Sequence, residues 1–194
     1  MRKLAGTIVV ALAIVSASAQ NEPKLTPEQQ KDMDAYMKAG TPGEEHKKLA
    51  ETAGTYSIKI SSWMEPGTAP MVETGTATRT MTLDGRVLLE DIKGTMMGAP
   101  YAGHGMSGFD NVSRKYWATW TDNMSTGMVF SEGTCDAKNT CKYTGHWNDP
   151  IKKGPTTCHM TASWPSPTTQ VFELRGPDKK GKEFKMMEIT YTKQ

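Results

Sequence analysis

Residues 71–95 read MVETGTATRTMT, then LDG, then RVLLEDIKGT, and this stretch decides the fold. Thr, Val, Leu and Ile dominate both flanks, and no helical period runs through them. Leu83-Asp84-Gly85 between them supplies the backbone angles a tight hairpin requires. The reading is two antiparallel strands, 71–82 and 86–95, joined at a short turn.

The same grammar holds from Thr55 to the end of the chain. Runs rich in Thr, Val, Ile and aromatic residues alternate with Gly, Pro, Asp and Asn. Strands are expected near 55–64, 71–82, 86–95, 101–109, 115–122, 126–133, 141–147, 156–164, 169–176 and 183–192. Glu65-Pro66-Gly67, Asp110-Asn111 and Pro177-Asp178-Lys179-Lys180-Gly181 are further turns. Short connections make neighbours in sequence neighbours in space. About ten such strands curl and close, because closure removes exposed edges. The expected fold is therefore mostly β: an up-and-down antiparallel, calycin-like barrel of about ten strands. No internal repeat or linker interrupts it.

Upstream the character is helical, in two short pieces. Thr26-Pro27-Glu28-Gln29 places a cap, a proline at the first helical position and a Gln three residues past the cap. Met33, Tyr36 and Met37 then recur at helical spacing. Gly40-Thr41-Pro42 ends that helix and starts a second in the same way. His46, Leu49, Ala50 and Ala53 share one side of it, and Gly54 ends it.

At the start of the chain, Arg2 and Lys3 precede the apolar run Leu4–Val15 and the small residues Ala17-Ser18-Ala19. That is the pattern of a secretory signal cleaved after Ala19. The run is too short for a membrane span of about 20 residues, and no Cys follows it to take a lipid. The chain is thus expected to be exported, to the periplasm or the medium, without inserting in a membrane. Cleavage removes Arg2 and Lys3 from 23 basic residues, which leaves them in balance with the 21 acidic ones. No basic run makes a field, which argues against nucleic acid and anionic membrane surfaces as partners. An oxidising compartment makes the three Cys disulfide candidates. Cys135 and Cys141 flank Asp136-Ala137-Lys138-Asn139-Thr140, and a hairpin there sets them face to face. Cys158 is left over as a small buried apolar residue.

The order of several dispersed motifs resembles the DUF1579 family of bacterial proteins. Pro42-Gly43-Glu44-Glu45-His46 before Leu49 and Ala53-Gly54-Thr55 is similar to the family's entrance. So are Leu83-Asp84-Gly85-Arg86 with Glu90, and Gly108-Phe109-Asp110-Asn111 with Tyr116, Trp120, Asp122 and Asn123. The ending matches as well, from Phe172-Glu173 through Gly176-Pro177 to the run Gly181–Tyr191. The resemblance implies a barrel like those of lipocalins and fatty-acid-binding proteins over residues 42–194, and it brings no established activity with it. Residues 1–19 are then a signal and 20–41 a helical extension. Tyr56 stands where the family commonly has Trp, and Cys135 and Cys141 replace ordinary residues.

Strand alternation sorts the polar residues by face. Arg86, Leu88, Glu90 and Ile92 share one side of their strand; Tyr116, Ala118, Trp120 and Asp122 share a side of another; Met186, Glu188 and Thr190 share a side of the last. If these sides face inward, Arg86, Glu90, Tyr116, Trp120, Asp122 and Glu188 line an otherwise apolar cavity, the usual makeup of a small-molecule site. Three readings stay open. One is a binding barrel for a small, largely apolar ligand. Another is an enzyme, a hydrolase for example, using Glu90 and Glu188 as a carboxylate pair. The third is an interaction protein whose barrel is packed solid. His104, His146, His159 and Cys158 stand in no metal-ligand spacing. The 14 Met include the separate pairs Met33 with Met37, Met96-Met97 and Met186-Met187, a pattern that suits an adaptable apolar lining better than copper. No nucleophile elbow, phosphate loop or dinucleotide fingerprint occurs, so no metal or cofactor is expected. His104 lies between Gly103 and Gly105, a sign of close packing against the backbone there.

Overall fold

The computed structural model describes residues 25–150 and 152–194. The expected signal, residues 1–19, and the start of the extension lie outside them. The chain divides into two compact units, up to Tyr36 and from Met37 onward. Helix α1 spans Pro27–Ala39. Thr26 and Gln29 form the anticipated reciprocal cap: the Gln29 amide donates to Thr26 Oγ1 (3.2 Å) and the Thr26 amide to Gln29 Oε1 (2.9 Å).

Helix α2 spans Glu44–Glu51 and starts two residues later than Thr41-Pro42 implies, with Gly43 at its N-cap. The reason is His46. Its Nδ1 accepts the Gly43 amide at 3.0 Å, and its buried ring meets the Phe109 ring edge-on, centroids 5.9 Å apart. Thr52, not Gly54, caps the other end, and Gly54 opens the first strand.

Ten strands follow: β1 Gly54–Ser62, β2 Met71–Thr82, β3 Val87–Met96, β4 Ala99–Asp110, β5 Lys115–Asp122, β6 Val129–Cys135, β7 Cys141–Asp149, β8 Gly154–Ser166, β9 Thr169–Pro177 and β10 Glu183–Lys193. Each pairs antiparallel with the next, and β1 pairs with β10 to close the barrel. The up-and-down meander expected from the turns is what forms. Leu83 (φ 50°), Asp84 (52°) and Gly85 (83°) make the β2–β3 turn in the left-handed region.

Alternation sends one side chain in two to the interior. Tyr56, Ile58 and Ile60 from β1, Ala77 from β2, Ile92 from β3, Tyr101 from β4, and Ile189 and Tyr191 from β10 make the buried core. Burying a side chain such as Ile60 contributes roughly 1.5–3 kcal/mol. The pattern changes phase in two places, at register shifts between Lys185 and Met187 and between Ser163 and Ser166. Helix α2 packs on β2, β3 and β4, at the rim where the β2–β3, β4–β5, β6–β7 and β8–β9 hairpins turn. The remaining hairpins turn at the far rim.

At the α2 rim, Cys135 and Cys141 are register partners joined by a disulfide. Asp136 organises the loop they bracket, its Oδ1 accepting the amides of Lys138 (2.8 Å) and Thr140 (3.0 Å). Cys158 is free and fully buried.

Candidate functional site

The interior side chains leave a cavity of about 420 Å³. Its wall is mostly apolar, with Ile92, Met96, Met160, Phe172, Met187 and Ile189 among the lining residues. Ser125, Gly127 and Met128 of the β5–β6 connection line it at the far rim. Two polar clusters interrupt the apolar wall.

The deeper cluster is built on Arg79 of β2 and Glu90 of β3, which are register partners. Arg79 Nε donates to Glu90 Oε1 at 2.7 Å, and Nη1 donates to Gln170 Oε1 of β9 at 2.6 Å. The guanidinium also lies over the Tyr191 ring (4.4 Å) and the Tyr56 ring (5.0 Å). Burial alone would weaken its hold on the proton, but the Glu90 carboxylate together with Tyr191 and Tyr56 outweighs that and keeps Arg79 above its usual range. Burial raises the Tyr191 phenol, with Glu90 adding to the shift, so Tyr191 stays protonated.

The second cluster is Tyr101 of β4 with Trp120 and Asp122 of β5. Trp120 Nε1 donates to Tyr101 Oη and to Asp122 Oδ2, both at 3.1 Å. Tyr101 Oη donates to the same Asp122 oxygen at 3.3 Å, and the Met124 amide reaches Oδ1 at 3.0 Å. Burial, then the Asp122 carboxylate, raises the Tyr101 phenol. The indole owes its position to β4. A Cβ on Gly103 would come 2.2 Å from Trp120 Cζ2, and one on Gly105 would come 2.9 Å from Cε3. Trp120 thus lies against a backbone without side chains, as the Gly103-His104-Gly105 motif implied, and it is among the residues that line the cavity.

Comparison with known proteins was made on this basis. The model of a family described as a protein of unknown function, DUF1579, matches residues 41–193. The chain belongs to the DUF1579 family. Among solved structures, a redesigned beta barrel is similar at 14% identity and a TM-score of 0.39, over 75% of this chain and 94% of that one. No curated protein matches.

In this DUF1579 protein the expected site residues separate. Glu90, Trp120 and Asp122 line the cavity. Arg86 does not. It precedes β3 at the hairpin, exposed, and its Nε and Nη1 donate to the carbonyls of Gly40 (3.0 Å) and Leu83 (3.2 Å). The interior guanidinium is Arg79, which sequence reasoning passed over. Glu188 does not line it either. Met187, Ile189 and Tyr191 take the inner face of β10, and Glu188 pairs outside with Lys185 Nζ at 2.6 Å. The register shift next to Lys185 and Met187 sets that phase. Glu90 and Glu188 therefore lie on opposite sides of the sheet, and the expected carboxylate pair is not assembled.

Tyr116 is inside the barrel but at the α2 rim, buried against Phe109 with ring centroids 4.9 Å apart. Burial raises its phenol. It lines a separate cavity of about 480 Å³ there, with Tyr56, Trp164, Gln170 and the disulfide. Among the described residues, no group of three or more His, Cys, Asp and Glu is placed to hold a metal.

Proposed function

We propose that this DUF1579 protein is an exported binding barrel, periplasmic or secreted, for a small and largely apolar molecule. The observation that carries the reading is the interior cavity of about 420 Å³, mostly apolar, with two hydrogen-bonded polar clusters in its wall. That volume and composition suit a drug-sized ligand, whose body would contact the apolar wall while a few fixed groups orient one end. Three supports come from elsewhere in the chain. The charged start, apolar run and Ala17-Ser18-Ala19 have the pattern of a cleaved leader. Cys135–Cys141 is a disulfide, typical of oxidising compartments. Among the described residues, no helix is long and apolar enough to cross a membrane.

Trp120, Trp147 and Trp164 line the cavity, so occupancy reads out directly in fluorescence. Natively purified protein is expected to carry a low-mass molecule in native mass spectrometry, or to show saturable tryptophan quenching with members of a broad apolar panel. Bare protein together with a panel that never quenches would remove the binding reading.

A further inference from the structure

We propose that the ligand of the central cavity carries a positive charge: an apolar body ending in one ammonium group. This rests on the cavity being a binding site, and it names the class of molecule that fits.

The argument is one of charge accounting inside a low-dielectric wall. Among the described residues, three charged side chains line the cavity: Arg79, Glu90 and Asp122. Arg79 and Glu90 cancel each other at 2.7 Å. The guanidinium is also committed on its edge to Gln170 and in ring contact to Tyr56 and Tyr191. It has little left to offer an incoming carboxylate.

Asp122 is different. Its oxygens accept from Trp120, Tyr101 and the Met124 amide, all neutral dipoles. No basic side chain among the described residues lies within ion-pair distance of it. The lining therefore carries one uncompensated negative charge. Asp122 is half-buried at the far rim, where the surroundings screen less than open water, so it attracts an opposite charge more strongly than the same charge on an open surface.

The neighbours of Asp122 point the same way. Trp120 lines the cavity beside the carboxylate, and tryptophan is the best aromatic partner for a cation. Met96 and Met128 add polarisable thioethers to the same cavity wall. A quaternary ammonium, which donates no hydrogen bond, suits a site whose polar groups already satisfy one another.

The test uses three decyl compounds below their micelle concentrations: decyltrimethylammonium, decanol and decanoate. Each is titrated into the full mature protein and followed by tryptophan quenching and native mass spectrometry. The ammonium compound is expected to bind at least tenfold more tightly than decanoate, with decanol between. Asp122→Asn is expected to abolish the preference, the ammonium compound and decanol then binding alike, and Asp122→Glu to keep it. Decanoate binding as well as or better than the ammonium compound overturns the cationic class and leaves the binding barrel standing. If none of the three binds, the cationic class is overturned, and the broad apolar panel with native mass spectrometry separately decides whether the barrel binds at all. The wild-type series decides the question even if Asp122→Asn fails to fold.

Discussion

Arg79 and Glu90 sit opposite each other on β2 and β3, Nε to Oε1 at 2.7 Å, inside the barrel and with side chains only 7% and 19% exposed. Removing one partner from such a pair leaves an uncompensated buried charge. Glu90→Gln is expected to cost about 3–5 kcal/mol. The double variant Arg79→Met with Glu90→Leu is expected to cost clearly less than the two single changes combined, since it strands no charge. Urea unfolding of the wild type, Arg79→Met, Glu90→Leu and the double variant gives the coupling; simple additivity would mean the pair does not act as a unit.

Trp120 rests on the bare backbone at Gly103. Gly103→Ala puts a methyl only 2.2 Å from Trp120 Cζ2. The ring is held by Tyr101 and Asp122, so it cannot swing aside freely. A loss of about 1–3 kcal/mol is expected, as for other overpacked cores, together with a shift in tryptophan emission. Combining Gly103→Ala with Trp120→Leu should recover part of the loss. An unchanged emission spectrum in the single variant would show that the indole does not lie there.

The disulfide closes a short loop, with five residues between Cys135 and Cys141. In the chain-entropy view such a loop contributes about 2 kcal/mol. Cys135→Ser with Cys141→Ser, or reduction of the native protein, is expected to lower stability by that order and leave the fold intact, because the Asp136 hydrogen bonds persist. Denaturant midpoints with and without reductant measure it.

Burial pushes the Cys158 thiol up to about 11 from an ordinary 9.0. The folded protein therefore holds this proton more tightly than the unfolded chain does. Its contribution to stability is complete below pH 9 and is lost as the pH rises toward 11. Tyr143, raised by burial to about 12, extends the same loss to higher pH. An aromatic disulfide reagent at pH 8 should find no thiol in the native protein and one after unfolding. Rapid labelling of folded protein would contradict the burial.

The hairpin grammar was readable because each turn carries its own chemistry. Leu83-Asp84-Gly85 names the β2–β3 junction without help from the rest of the chain, and Glu65-Pro66-Gly67, Asp110-Asn111 and Pro177-Asp178-Lys179-Lys180-Gly181 do the same for three more. The glycines around His104 likewise announced a close contact, though not that Trp120 makes it. The polar site was harder. Arg79 lies in a strand whose interior positions Gly75, Ala77 and Arg79 have little hydrophobic contrast with the threonines between them. The regular Thr74, Thr76, Thr78 and Thr80 on the outer face is the signal that would have placed it inward. Glu188 was misplaced because a strand's phase is lost at a bulge, and Met186-Met187 is apolar at both parities. Arg86 had the correct parity but stands beyond the end of the ladder, where a long side chain reaches back over the rim.

The seam between β1 and β10 also has a bearing on how the chain is made. Without β10 the other nine strands form an open ribbon, with the free edges of β1 and β9 ready to pair with strangers. Only residues 183–193 can seal it. Final assembly must therefore wait for the last strand, and a message cut short before Glu183 would yield a sticky fragment, not a smaller working protein.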